Sequence, residues 1–170
     1  MRRLVIVDGA ASLPPALASR LGGWKAYGYG AYEDTARAKH ALVVLDIIRA
    51  ASHEPRELHM VPAFTGNGGR LPYAGVLATL EAACRGDAWV NLSWGVSMKG
   101  AGLSARYQMV REIAAWRAFQ ARNPGVLLMW AAGNTGDFLS DNDEQYPQAS
   151  LQSEGSISVG ALENGKPASY

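Results

Sequence analysis

Residues 126–134 read VLLMWAAGN, six apolar residues that run into two small residues and an asparagine. A short continuous apolar run of this kind is typical of a strand that is covered on both faces. Four further runs have the same character, at residues 4–7, 58–64, 88–92 and 157–161. Near-continuous runs, rather than alternating ones, predict a parallel sheet.

Three longer stretches between these runs predict helices, at residues 35–51, 72–84 and 104–123. The first is apolar almost all round, which predicts a buried helix. The second starts with Pro72, and the third has Ser104 in a capping position. The apolar side of the third helix is predicted to carry Tyr107, Val110, Ile113, Ala114 and Trp116. Strands that alternate with helices predict an α/β fold with three layers and a mostly parallel central sheet.

Composition excludes several classes of protein. The 170 residues include 16 Lys and Arg against 15 Asp and Glu, a net charge of +1 that argues against nucleic-acid binding. No apolar run approaches the roughly 18 residues of a membrane span, and none after Met1 resembles a signal peptide. Cys84 is the only cysteine, so no internal disulfide can form. Since neither a signal peptide nor a disulfide is indicated, we expect a cytoplasmic protein. We also expect no metal or cofactor, since no metal-binding or nucleotide-binding spacing is present.

Polar residues collect at one edge of the predicted sheet. Ligands of open α/β sheets bind outside the carboxyl ends of the strands, where crossover helices also begin. Asp8, Ser93 and Asn134 follow three strands, and His40 stands near the start of a helix. An aspartate can orient a histidine, a histidine can act as general base, and an asparagine amide can donate to an oxyanion. These are three parts of an acyl-transfer site.

These segments resemble the motifs of subtilisin-like serine proteases, the subtilases. The stretch from Val5 to Gly9 resembles their aspartate motif, and the stretch from Lys39 to Val44 resembles their histidine motif. Residues 90–95 resemble the strand that pairs with substrate, and residues 131–136 closely match the Ala-Ala-Gly-Asn-x-Gly oxyanion motif. Residues 146–149, 157–161 and 168–170 also fit, so the resemblance covers nearly the whole chain. It implies one incomplete subtilisin-like catalytic domain over residues 1–170.

The resemblance implies a role for each matched residue. Asp8 would orient His40, His40 would be the general base, and Asn134 would donate to the oxyanion. Ser93, Trp94 and Gly95 would hold the substrate backbone as an added strand. Ala131, Ala132 and Gly133 would line the pocket for the residue before the cut bond.

The family's nucleophile lies in a Gly-Thr-Ser-Met-Ala-x-Pro motif, which is absent from these 170 residues. In the family, the helix that begins there fills the space beside the histidine-bearing helix. Exposing five to eight apolar side chains would cost on the order of 10 kcal/mol, comparable to the stability of a whole domain. We therefore expect a second chain that carries the serine, or self-association. The substrate would be a peptide or protein.

Two other functions remain open. A non-catalytic pseudoprotease of the same fold would keep the peptide-binding strand and bind without cutting. A phosphotransferase or phosphatase would use Asp8 as nucleophile, because Val-Asp-Gly at a strand end also occurs there. The absence of a second aspartate two residues later disfavours this last reading.

Overall fold

The computed structural model describes residues 3–52, 57–133, 151, 155–163 and 166–167. The chain divides into two compact units, Met1–Asn91 and Leu92–Tyr170. The prediction of one domain over residues 1–170 stays a prediction.

Within its described residues, the first unit holds parallel strands and intervening helices. In chain order they are β1 (Arg3–Asp8), α1 (Pro15–Ala18), β2 (Lys25–Gly28), α2 (Ala36–Ala51), β3 (Glu57–Pro62), α3 (Tyr73–Cys84) and β4 (Ala88–Leu92), whose last residue opens the second unit. The strand order is β2-β3-β1-β4, and every neighbouring pair is parallel. Asp8 lies opposite Pro62 at the last paired position of β1, so it stands at the carboxyl edge of the sheet.

This unit has three layers because β1 and β3 bury both of their faces. Leu4 and Ile6 pack in one cluster with Leu58 and Met60 of β3 and with Ala38, Ala41 and Leu45 of α2. Val5 and Val7 alternate onto the other face and are also fully buried. Helix α3 contacts β1 and β3, and its buried side chains lie outside that cluster. The sheet is therefore covered by α2 on one face and by α3 on the other.

The second unit packs a long helix against a strand through aromatic rings. Its elements are α4 (Leu103–Arg122), β5 (Val126–Ala131), β6 (Ser156–Val159) and the two short antiparallel strands β7 (Leu162–Glu163) and β8 (Lys166–Pro167). Strands β5 and β6 are parallel, with Ala131 opposite Val159. The ring of Trp130 meets Trp116 of α4 edge-on at 4.8 Å and Trp94 at 5.8 Å. All three tryptophans are buried.

These elements confirm the predicted α/β class and the parallel pairing. The strands at 88–92 and 126–131 agree with prediction to the residue, and the helix predicted at 35–51 begins after its cap residue, Thr35. Strand β2 and the four-residue α1 were not predicted. Every residue of β2 is exposed, so the strand carries no buried apolar run by which to recognise it.

Three predictions about the helices are wrong. The N-cap of α4 is Gly102, so Ser104 lies inside the first turn, and Tyr107 and Val110 are 70% and 63% exposed. The buried stripe runs instead through Met109, Glu112, Trp116, Phe119 and Gln120, because the helix turns its large rings toward Trp130. Helix α2 was predicted to be buried almost all round, but it buries Ala38, Ala41 and Leu45 on one face and exposes Val43 and Ile47 on the other.

Within the described ranges, no helix combines the length and the apolar character needed to cross a bilayer.

Candidate active site

Asp8 is a buried carboxylate with both oxygens engaged. It is 1% exposed at the end of β1. The backbone N–H of Gly9 donates to Oδ1 at 2.7 Å, and Nδ1 of His40 lies 2.9 Å from Oδ2. The predicted pairing of Asp8 with His40 is therefore present as a hydrogen bond between residues 32 positions apart.

Helix α2 presents His40 at the edge of the sheet. Oγ1 of Thr35 accepts a hydrogen bond from the N–H of Ala38 at 3.1 Å, which caps the helix and fixes where it starts. His40 follows within the next turn, and its side chain is 46% exposed. An ionised carboxylate can only accept, so Nδ1 carries the proton toward Asp8 and Nε2 is left as the basic nitrogen. His40 is thus oriented from the interior and reachable from solvent.

Burial dominates the electrostatics of the aspartate. It raises the pKa of the Asp8 carboxyl above its usual value. His40, the N–H of Gly9 and the Arg37 guanidinium all act in the opposite direction and partly offset this rise. These neighbours therefore favour the ionised carboxylate against the effect of burial.

A close approach between Gly9 and the first turn of α2 sets the spacing of the pair. A Cβ atom at Gly9 would lie 2.5 Å from the carbonyl carbon of Arg37 and 2.6 Å from its oxygen. Only a residue without a side chain fits there. The guanidinium of Arg37 lies over the Phe64 ring, 4.6 Å from its centroid. Sequence reasoning missed Arg37, and the only signal for this packing was the glycine directly after Asp8.

The predicted substrate-binding residues lie in the second unit. Ser93, Trp94 and Gly95 follow β4 directly, and Gly95 is exposed. The ring of Trp94 is 7% exposed and packs against Trp130, so its bulk fills the core of the unit.

The predicted oxyanion segment, residues 131–136, lies within the described residues only as far as Gly133. Ala131 ends β5, and the N–H of Ala132 donates to the carbonyl of Val159 at 3.0 Å. Gly133 is exposed and has φ of 102°, which a residue with a side chain rarely adopts. The chain thus turns directly before Asn134, and Asn134 itself lies outside the described residues.

The described residues support proton-transfer chemistry. Within these ranges, no group of three or more His, Cys, Asp or Glu side chains could hold a metal ion. A buried carboxylate that orients a half-exposed imidazole is the arrangement of an aspartate–histidine general base.

Comparison with known proteins adds an independent observation. A family model, the subtilase family of peptidase S8, matches residues 57–170, about two thirds of the chain. The matched range includes Ser93 and Asn134 and leaves out Asp8 and His40, so the hydrogen bond between these two is an observation separate from the match. A search of curated proteins finds no match to this chain. The chain belongs to the subtilase family.

Proposed function

We propose that this chain supplies the aspartate, the histidine and the oxyanion asparagine of a subtilisin-like serine endopeptidase. One observation carries the proposal: Nδ1 of His40 lies 2.9 Å from the buried carboxylate of Asp8 in a chain of the subtilase family. An exposed histidine is hydrated by water, so a buried carboxylate beside it is not required for solvation. The arrangement is the one that a general base requires.

The proposed mechanism begins at Nε2 of His40. This nitrogen takes the proton of a serine hydroxyl as the serine attacks the carbonyl of the substrate, and it then gives the proton to the leaving amine. Asp8 stabilises the imidazolium that forms between these two steps. The same base then activates water, which hydrolyses the acyl-enzyme.

The nucleophilic serine would come from outside residues 1–170, on a continuation of the polypeptide or on a second chain. The surface of α2 supports this part of the proposal. Val43 is 58% exposed and Ile47 is 65% exposed, one turn apart and next along the helix after His40. Covering two such side chains stabilises an assembly by about 1–3 kcal/mol each. A serine-bearing helix that packs here would stand beside the general base.

The substrate would be a peptide or protein that binds in extended form. Ser93 to Gly95 would pair its backbone with the substrate as an added strand, the mode of peptide recognition that the family resemblance implies. Asn134 would donate its side-chain amide to the oxyanion, and Ala131 to Gly133 would line the adjoining pocket. Small residues in that lining leave room for a substrate side chain.

Two competing functions receive different support. A phosphoryl-accepting aspartate must present an oxygen to its substrate, whereas Asp8 is 1% exposed and both of its oxygens already accept hydrogen bonds. A peptide-binding pseudoprotease is the second candidate. It is favoured by Ala41 and Val43, which replace the usual Gly and second His of the histidine motif.

Labelling with a fluorophosphonate, which reacts with activated serines, tests the proposal. The reagent would be added to the chain together with its serine-bearing continuation or companion polypeptide. We expect label on the serine segment, and at least a hundredfold slower labelling for His40→Gln.

His59→Gln is the matched control, because it makes the same substitution at a histidine of β3 away from Asp8. Its labelling rate should stay within a fewfold of the native rate. No label in any preparation, together with retained binding of an extended peptide, would establish the pseudoprotease instead. Sizing of the chain alone would show whether self-association covers Val43 and Ile47.

A further inference from the structure

Arg37 is placed to influence the Asp8–His40 pair although the family motifs do not include it. It precedes His40 by three positions in α2, so both side chains project from neighbouring points of one helix face. Its backbone is the group that Gly9 approaches, directly beside Asp8. The position of Arg37 is therefore set by the same contact that spaces the pair.

The guanidinium of Arg37 is also held in place. It lies over the ring of Phe64, 4.6 Å from the centroid, in a cation–π arrangement. Phe64 follows β3, the strand that pairs with β1. The residue before it, Ala63, donates its backbone N–H to the backbone carbonyl of Asp8 at 2.7 Å. A flexible side chain is thus anchored on the framework that also holds Asp8.

The groups that favour the ionised form of Asp8 differ in whether they carry a permanent charge. In the resting state His40 must be neutral to act as a base, so it cannot then supply a full charge to the buried carboxylate. The Gly9 N–H contributes only a dipole. Among the described groups that lower the pKa of Asp8, Arg37 is the one with a permanent charge.

Lys39 is the other cation in this turn of α2, one position before His40. Nζ of Lys39 lies 3.3 Å from Asp34, and both side chains are more than 60% exposed, so solvent and mutual pairing screen their charges. Arg37 is exposed as well, but it differs from Lys39 by its anchoring on Phe64 and by the contact of its backbone with Gly9.

We propose that Arg37 is a positioning residue that holds the pair as an ionised Asp8 and a neutral His40, the protonation state that is ready to react. A fixed cation favours the carboxylate and opposes a second positive charge on the imidazole, and both effects act in the same sense. The catalytic consequence rests on the proposed function, whereas the electrostatic coupling exists with or without turnover.

The test is an NMR pH titration of His40 in the chain with ¹³C-labelled histidine, the signal being assigned by its loss in His40→Gln. We expect Arg37→Gln to raise the titration midpoint of His40 by about half a pH unit or more. Arg37→Lys, which keeps the charge, should restore at least half of this shift. Phe64→Leu, which keeps Arg37 but removes its platform, should give a smaller shift in the same direction.

Lys39→Gln is the matched control, because it removes one positive charge from the same turn of α2. Its shift should be less than half of that for Arg37→Gln. Equal shifts in the two variants, or no shift for both Arg37→Gln and Phe64→Leu, would overturn the inference. Failure of fluorophosphonate labelling in every preparation would refute the proposed function and leave the titration result standing.

Discussion

The contact between Gly9 and Arg37 leads to the most direct prediction about the site. In Gly9→Ala, the new Cβ would lie 2.5 Å from the Arg37 carbonyl carbon, where ordinary contacts begin at 3.4 Å. Helix α2 and the end of β1 must therefore separate by about 0.9 Å, since the obstacle is backbone and cannot rotate away. Overpacking of this kind costs about 1–3 kcal/mol of unfolding free energy. The same displacement would stretch the 2.9 Å bond from His40 to Asp8 past the limit of a hydrogen bond.

Urea denaturation followed by tryptophan fluorescence measures the first effect, and the His40 NMR signal reports the second. Gly75→Ala is the matched control: it makes the same change in α3, where a Cβ would meet nothing within 4 Å. A helix position open to alanine should gain up to about 1 kcal/mol. We therefore expect Gly9→Ala to lose stability and Gly75→Ala to keep or gain it, a difference of about 1–4 kcal/mol between the two variants. A Gly9→Ala protein as stable as the native chain, with an unchanged His40 titration, would refute the steric argument.

Three further predictions concern the first unit. Burial, helped by Arg3, lowers the pKa of His59, so the folded state binds fewer protons than the unfolded chain and its stability falls as the pH drops through and below the ordinary histidine pKa. Between pH 7 and pH 5 the native chain should lose more unfolding free energy than His59→Gln, and equal losses would contradict this. Burial raises the pKa of Cys84 to about 12, and the residue is fully buried, so a thiol reagent should react with it only after unfolding; rapid reaction of the folded chain would show that the site is open. Removal of the α2 cap in Thr35→Ala should cost about 1 kcal/mol in urea melts, and Thr35→Ser should cost much less.

The strand and helix pattern was predictable because it depends on local periodicity. Runs such as residues 4–7 are buried on both faces, and a parallel sheet between helices accommodates several runs of that kind. The faces of α2 and α4 were not predictable, because an apolar residue on a helix can be buried or exposed according to what packs there. Tyr107 and Trp116 are both aromatic residues of α4 that were predicted on its apolar side, yet Tyr107 is 70% exposed and Trp116 is fully buried against Trp130.

The same distinction between local pattern and tertiary contact applies to the candidate site. The family resemblance implied that Asp8 orients His40, and the structure shows a hydrogen bond between them, while their catalytic roles stay predictions. The role of Asn134 stays a prediction, because that residue lies outside the described ranges. Arg37 and Phe64 could not be found from spacing, since they belong to different elements and carry no motif.

The sequence by itself determined the alternation of strands and helices, the family motifs and the residue types able to do acyl-transfer chemistry, because each of these depends on neighbours along the chain. Only the tertiary structure decided which side chains share an environment. The burial of the Asp8 carboxylate, the exposure of His40 and the anchoring of Arg37 on Phe64 all arise from contacts between elements far apart in sequence. Desolvation and charge proximity depend on distance in space, and folding alone sets that distance.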